Sequence, residues 1–211
     1  MFSTTIEEKM RQLAAEYAER LGKKIAQRVE EMEGDDKSHF LVYRVLGITD
    51  EEGHLIDVYQ NKGRFLYRYA GGFLEDATKL CFREKHPDAD SIRIPNTLGL
   101  RPKTFEIDCL IEQHAIEIKW RDATTDGDHI TKEHTRIKTI ADAGYTPIRV
   151  MFYYPNRAQA IRIQQTLETL YTGVGGEYYY GDEAWEYVKK QTGIDLKAIL
   201  VKLAEENTRR S

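Results

Sequence analysis

Cysteine is scarce in this chain: two in 211 residues, Cys81 and Cys109. Both sit in apolar patterns, so they read as buried free thiols in a reducing compartment, not as a disulfide framework. No Cys/His spacing suits a structural zinc site. Long apolar runs are also missing. None approaches the ~20 residues of a membrane span, so no membrane association is expected. The first ten residues carry two glutamates and no apolar signal core, which points to a cytoplasmic protein. Repeats, low-complexity tracts and linker-like stretches are absent. Charge of one sign is not in large excess: a net charge of −4 argues against indiscriminate binding to nucleic acid.

What charge there is, however, is segregated. Residues 1–36 hold nine acids against six bases. Residues 132–162 hold Lys132, Arg136, Lys138, Arg149, Arg157 and Arg162 against only Glu133 and Asp142. That asymmetry suits one face turned toward phosphates and a solvated acidic periphery.

Periodicity gives the elements. Ile6, Met10, Leu13, Tyr17, Leu21, Ile25, Val29 and Met32 step by threes and fours, an amphipathic helix capped near Thr5. Ser38 reads as the cap of a short second helix reaching Leu46. Thr49 and Glu52 have capping-box spacing and start a third helix toward Tyr59. Gly63 opens a fourth, with Gly71-Gly72 its weak spot. A short strand over 91–94 and a hairpin over 105–120 follow. Then come a helix over 130–143, a buried strand over 147–153, a helix over 158–171, a Gly/Tyr-rich loop over 173–181 and two closing helices. Tyr178, Tyr179, Tyr180 and Trp185 suit core packing or a dimer contact better than base stacking. The order predicts one α/β domain over 1–211. It divides into a helical part (1–90), a small mixed β-sheet flanked by helices (91–172) and C-terminal helices (173–211).

The hairpin carries the chemistry. Phe105, Ile107, Cys109 and Ile111 are apolar before the turn, and Ile116, Ile118 and Trp120 after it, a period of two whose parity switches at the turn. A two-residue turn at Glu112-Gln113 sets Asp108 opposite Glu117 and Glu106 opposite Lys119, so three carboxylates and one ammonium share a face. Asp108 and Glu117, about 5 Å apart at the backbone, could hold a divalent cation with help from the Ile118 carbonyl. Lys119 would balance the acids and steer a water. Two carboxylates, a metal and a lysine meet the needs of phosphodiester hydrolysis.

The run Ile107-Asp108 … Glu117-Ile118-Lys119 resembles the PD-(D/E)xK nuclease core, with Ile107 standing where that motif has proline. The stretches 117–129 and 144–155 are similar to the ApaLI-like restriction endonucleases. The resemblance implies a restriction-endonuclease-like core with an N-terminal helical layer, and a prokaryotic setting. It implies Asp108 and Glu117 as Mg2+ ligands and Lys119 as the catalytic lysine. A further ligand on the preceding helix would be Glu75, with Glu106 as second choice. It also implies double-stranded DNA carrying a short palindromic site as substrate, a homodimer as the working form, a cognate DNA methyltransferase in the same system and 5′-phosphate ends.

Around this centre, Arg121, Thr124, Thr125 and Asp126 are placed to touch bases or phosphates. His129 suits a cap or a DNA contact, and Lys132 and Arg136, four residues apart, are expected to present one phosphate-binding face. Two rivals are a structure-specific repair or junction nuclease of the same fold and a non-enzymatic DNA-binding protein. Magnesium would matter to the first, and only through screening to the second.

Overall fold

The computed structural model describes residues 5–99, 101–121 and 127–208; the side chains of 127–129 fall outside the description. The chain divides into two compact units, one formed by Arg11–Phe73 and the other by Met1–Met10 with Leu74–Ser211. Helices α1 (Ile6–Glu33) and α3 (Asp50–Lys85) each contribute to both units. Both helices begin at the caps read from sequence, and both caps are capping boxes. Thr5 Oγ1 accepts from the Glu8 N–H at 3.2 Å while Glu8 Oε2 accepts from the Thr5 N–H at 2.9 Å. Thr49 and Glu52 repeat the exchange at 3.2 and 3.1 Å. Each box satisfies two otherwise orphaned donors.

In the smaller unit, α3 runs unbroken through Tyr59–Gly63, where the sequence suggested two helices. Packing overrides the glycine penalty. The Tyr17 ring lies edge-on to Phe73 at 5.7 Å and to Tyr69 at 6.3 Å. A Cβ on Gly72 would sit 3.2 Å from the Tyr17 hydroxyl, so the missing side chain is what admits the ring. The short helix α2 (Phe40–Val45) starts after His39 without a side-chain cap; Ser38 bonds Asp36 instead. Helix α2 is pinned to α3 by the Tyr43 hydroxyl, which donates to Asp57 at 3.0 Å, and its Phe40 is buried.

The larger unit is built on a five-stranded sheet in the order β1 (Asp90–Pro95), β2 (Thr104–Ile111), β3 (His114–Arg121), β4 (Thr146–Tyr153), β5 (Glu177–Tyr180). β1, β2 and β3 are antiparallel neighbours, and β3, β4 and β5 are parallel. The parallel steps need crossovers, which are α4 (Gly127–Asp142) and α5 (Ala158–Gly173). Helices α6 (Asp182–Thr192) and α7 (Leu196–Thr208) follow. This is the mixed sheet with flanking helices that the sequence indicated, with one strand more. β5 lies inside the stretch read as a Gly/Tyr-rich loop. Tyrosines favour a pleated surface, and Gly176 lets the chain pass so close to the Pro147 carbonyl that a Cβ would collide with it. Phe152 packs on Trp185 of α6 at 4.3 Å and Tyr179 stacks on Tyr187 at 4.5 Å, so these aromatics serve the core. Among the described residues no helix is long and apolar enough to cross a membrane.

Candidate active site

The hairpin turns at Glu112-Gln113 as expected, with Glu112 in the left-handed region at φ 52°. Ile111 faces His114, Leu110 faces Ala115 and Cys109 faces Ile116. There the strict register stops. On β1, Asp90 faces Leu110 and Ile92 faces Ile107, so β2 carries one extra residue at Asp108–Cys109. Such a bulge re-aims a side chain and releases backbone groups from the ladder. The Ile118 N–H donates at 2.8 Å to Asp108 Oδ2, a carboxylate taking the place of a backbone partner. The Ser91 hydroxyl donates at 2.8 Å to the Asp108 carbonyl and braces the bulge from β1.

The bulge also corrects the expected single greasy face. Phe105 and Ile107 pack with Ile140 of α4, and Glu106 points elsewhere. Its carboxylate pairs with Arg93 at 2.9 Å and does not meet Lys119. Asp108, Glu117 and Lys119 do converge. Lys119 Nζ is 3.8 Å from Asp108 Oδ2 and in close contact with Glu117 Oε1. Burial and then the charge of Glu117 push Asp108 up to about 7, against the pull of Lys119. Burial alone would raise Glu117 as well, but Arg136 and Lys119 outweigh it and hold Glu117 well below the usual carboxylate range. Burial works against the Lys119 ammonium; Glu117 and Asp108 more than restore it and raise its pKa. Two adjacent carboxylates therefore differ in character, one firmly ionised and the other strained by its neighbour's charge.

Arg136 is the residue the sequence misplaced. It is 7% exposed and unavailable to a phosphate on the surface. Its Nη2 contacts Glu117 Oε2 closely and donates at 2.8 Å to the Glu106 carbonyl. The inward face of α4 is set by packing, so Arg136 turns in while Lys132, four residues earlier, stays exposed. Behind Arg136 lies a buried network. Glu133 Oε1 accepts from Arg136 Nη1 at 3.3 Å, Arg149 Nη1 at 3.2 Å and the Tyr171 hydroxyl at 2.8 Å. Glu117, Arg149 and Tyr178 sit side by side across β3, β4 and β5, and Tyr178 donates to Gln164 of α5 at 2.7 Å. Sequence reading passed over this network. The signal available was Arg149, a charge inside the otherwise apolar run 147–152.

Glu75, proposed as a further ligand, pairs with Lys79 at 2.9 Å. Its charge is near enough to help raise Asp108. Among the described residues no three His, Cys, Asp or Glu side chains gather closely enough to hold an ion. Asp108 and Glu117, with backbone and water oxygens, would make the kind of donor set magnesium takes. Like-charge strain between Asp108 and Glu117 is what a divalent cation would relieve. The residues thus fit such an ion. Arg121, on the strand end beyond Lys119, lines a cavity of about 410 Å3 with Trp120, Tyr153, Asn156 and Arg157. Thr124, Thr125 and Asp126 lie outside the described residues, and so does the side chain of His129.

Residues 1–205 match the family model of the ApaLI-like restriction endonucleases. No curated protein and no solved structure matches the chain.

Proposed function

Because the chain belongs to the ApaLI-like restriction endonuclease family, and so to the Type II site-specific deoxyribonucleases, we propose that Asp108, Glu117 and Lys119 are its hydrolytic site. The observation that carries this is the bulge. It substitutes the Asp108 carboxylate for a backbone partner and so fixes it beside Glu117 and Lys119 on the rigid centre of the sheet. When bound, magnesium supplies positive charge to the crowded phosphate and acidity to a water. Asp108, Glu117 and the Ile118 carbonyl would hold it. Lys119 orients the attacking water and offsets charge gathering on the phosphate oxygens. The water oxygen bonds to phosphorus, the bond to the 3′ oxygen breaks, and that oxygen takes a proton, leaving 5′-phosphate and 3′-hydroxyl ends.

Arg136 acts one step back, as a positioning residue. It keeps Glu117 ionised and fixes its rotamer through one oxygen while the other faces Lys119. Phosphate contacts from Arg121 and Lys132 hold the duplex in register, and residues Thr124, Thr125, Asp126 and His129 read or brace it. The substrate is a short palindrome bound by a homodimer, because two-fold sites call for two-fold proteins. A cognate methyltransferase protects the host's own copies of the site.

The test is incubation of purified protein with phage-sized duplex DNA, with magnesium and with chelator. Discrete fragments that need magnesium are expected. Cutting confined to branched DNA would replace this reading with a junction nuclease. Lys119→Ala should abolish cleavage while sparing DNA binding; cleavage at the wild-type rate by that variant would remove Lys119 from the site.

A further inference from the structure

The cavity at the ends of β3 and β4 differs in charge from others in the molecule. Its walls include Trp120 and Arg121 from β3, and Tyr153, Tyr154, Asn156 and Arg157 from the end of β4 and the approach to α5. Three aromatic rings, two guanidinium groups and one amide meet there, with no carboxylate among the lining residues. The cavities beside α7 and at the start of α3 are instead lined in part by Glu186, Asp195 and Glu205 and by Asp50 and Glu51. A cationic pocket on a chain of net charge −4 is a local reversal of sign and selects for an anion.

β3 and β4 run parallel, and in register Arg121 faces Tyr153 as Lys119 faces Met151. Their carboxyl ends therefore open on the same edge of the sheet, the edge where α/β sheets hold their ligands. Arg121 lies two residues beyond Lys119 on the same side of β3, about 7 Å along the strand. The rings of the pocket are braced. Tyr153 lies edge-on to Trp185 at 6.1 Å, Tyr154 packs on Tyr180 at 4.3 Å, and the Arg121 guanidinium is 5.7 Å from the Trp120 ring. Tyr153 is nevertheless 52% exposed. A braced ring with a free face loses little conformational freedom when another ring stacks on it. The volume, about 410 Å3, falls in the range of pockets that enclose a small ligand.

We propose that this pocket takes one base swung out of the DNA strand beside the phosphate at Lys119. The inference rests on the nuclease reading for the identity of its ligand. A base inside a duplex shows the protein only its edge. One turned out of the stack shows its faces, which Trp120, Tyr153 and Tyr154 can cover. Asn156 carries a donor and an acceptor for the edge of that base, and Arg121 and Arg157 match the phosphates flanking it. Holding the nucleotide in this way fixes the strand against Lys119 and sets which phosphate is cut.

Single-stranded DNA is the probe, since it removes the cost of unstacking a duplex base. Fluorescence anisotropy compares a labelled adenine pentanucleotide with an abasic pentanucleotide of the same charge, both with the full chain in chelator. The adenine pentamer should bind about 10-fold or more tightly, because stacking on aromatic rings changes affinity by about 5- to 150-fold per base. Binding should quench half-buried Trp120 and leave Trp185, which is 7% exposed, unchanged. Trp120→Leu and Tyr153→Leu should each lose most of the preference for bases, while Arg157→Gln should weaken both pentamers alike. Far-UV circular dichroism checks each variant. Tyr153 and Arg157 are exposed, so their variants keep the test decisive should Trp120→Leu misfold. Equal affinity for the two pentamers, no binding of either, or an unchanged preference in the folded variants overturns the proposal. Magnesium-dependent cutting of phage-sized DNA alongside such a result leaves the nuclease reading standing without the pocket. Base-selective binding that the variants lose, in a protein that cuts no DNA, does the reverse.

Discussion

Glu133 is the hub on which the buried charges depend, and its removal should cost far more than a surface ion pair. Its Oε1 accepts from Arg136, Arg149 and Tyr171, and the residue is 5% exposed. Glu133→Leu would leave Arg149 buried with no carboxylate in contact among the described residues, and Arg136 with Glu117 and the Glu106 carbonyl. Breaking one side of a buried pair costs about 3–5 kcal/mol. For a chain of this size, each kcal/mol lowers Tm by roughly 2–4 °C, so a fall on the order of 10 °C is expected. Arg149→Met should cost a similar amount by stranding Glu133. Arg149 already has one deficit, because among the described residues its Nε is the buried side-chain polar atom without a hydrogen-bond partner. Removing both charges together should therefore recover most of the loss, and the Glu133→Leu/Arg149→Met chain should melt above either single variant. Thermal melts of the four proteins in one buffer close the cycle. Single losses below about 1 kcal/mol, or losses that simply add, would refute the view that these charges are mutually dependent and desolvated.

Three further outcomes follow from the same geometry. With chelator present Asp108→Asn should raise Tm, since it removes one of two crowded like charges yet keeps an oxygen for the Ile118 N–H, and with magnesium present it should abolish cleavage; a lower Tm would mean that Asp108 is held by stabilising contacts alone. Arg136→Lys should keep part of the cleavage rate and Arg136→Met little of it, with more magnesium needed for half-maximal binding in a calorimetric titration of the metal alone; unchanged magnesium affinity in both would show that Arg136 supports the fold and not Glu117. Burial pushes the thiols of Cys81 and Cys109 up to about 12, so their contribution to stability is present below the ordinary thiol range near 9 and is lost as pH rises through 12. Both should resist a thiol reagent at pH 8 until the protein unfolds, and rapid labelling of the native protein would contradict their burial.

Side-chain direction explains which of these features could be read from the chain alone. From Cys109 to Ile116 the hairpin obeys a period of two, and the register of its turn follows from alternation of apolar and polar residues. One residue farther, the extra residue at Asp108 breaks that alternation. A bulge leaves no mark in composition, so the sequence placed Glu106 beside Lys119 when it belongs with Arg93. Glycines misled in the opposite sense. Gly63 read as the start of a new helix and Gly71-Gly72 as its weak spot, yet one helix runs through all three, with Tyr17 packed where Gly72 has no side chain. The basic run 132–162 shows the deepest reason. Of its six cations, Arg136 and Arg149 are buried against Glu117 and Glu133, leaving Lys132, Lys138, Arg157 and Arg162 exposed. On a helix of mixed polarity, the face turned inward depends on what the neighbouring strand offers. Here β3 and β4 offer Glu117 and Arg149 in register, so α4 must bring Arg136 and Glu133 to them. The charge cluster that looked like a surface for DNA is in part the scaffold that holds the Glu117 carboxylate ionised. Its two buried arginines belong to the site as firmly as the lysine that the motif announces.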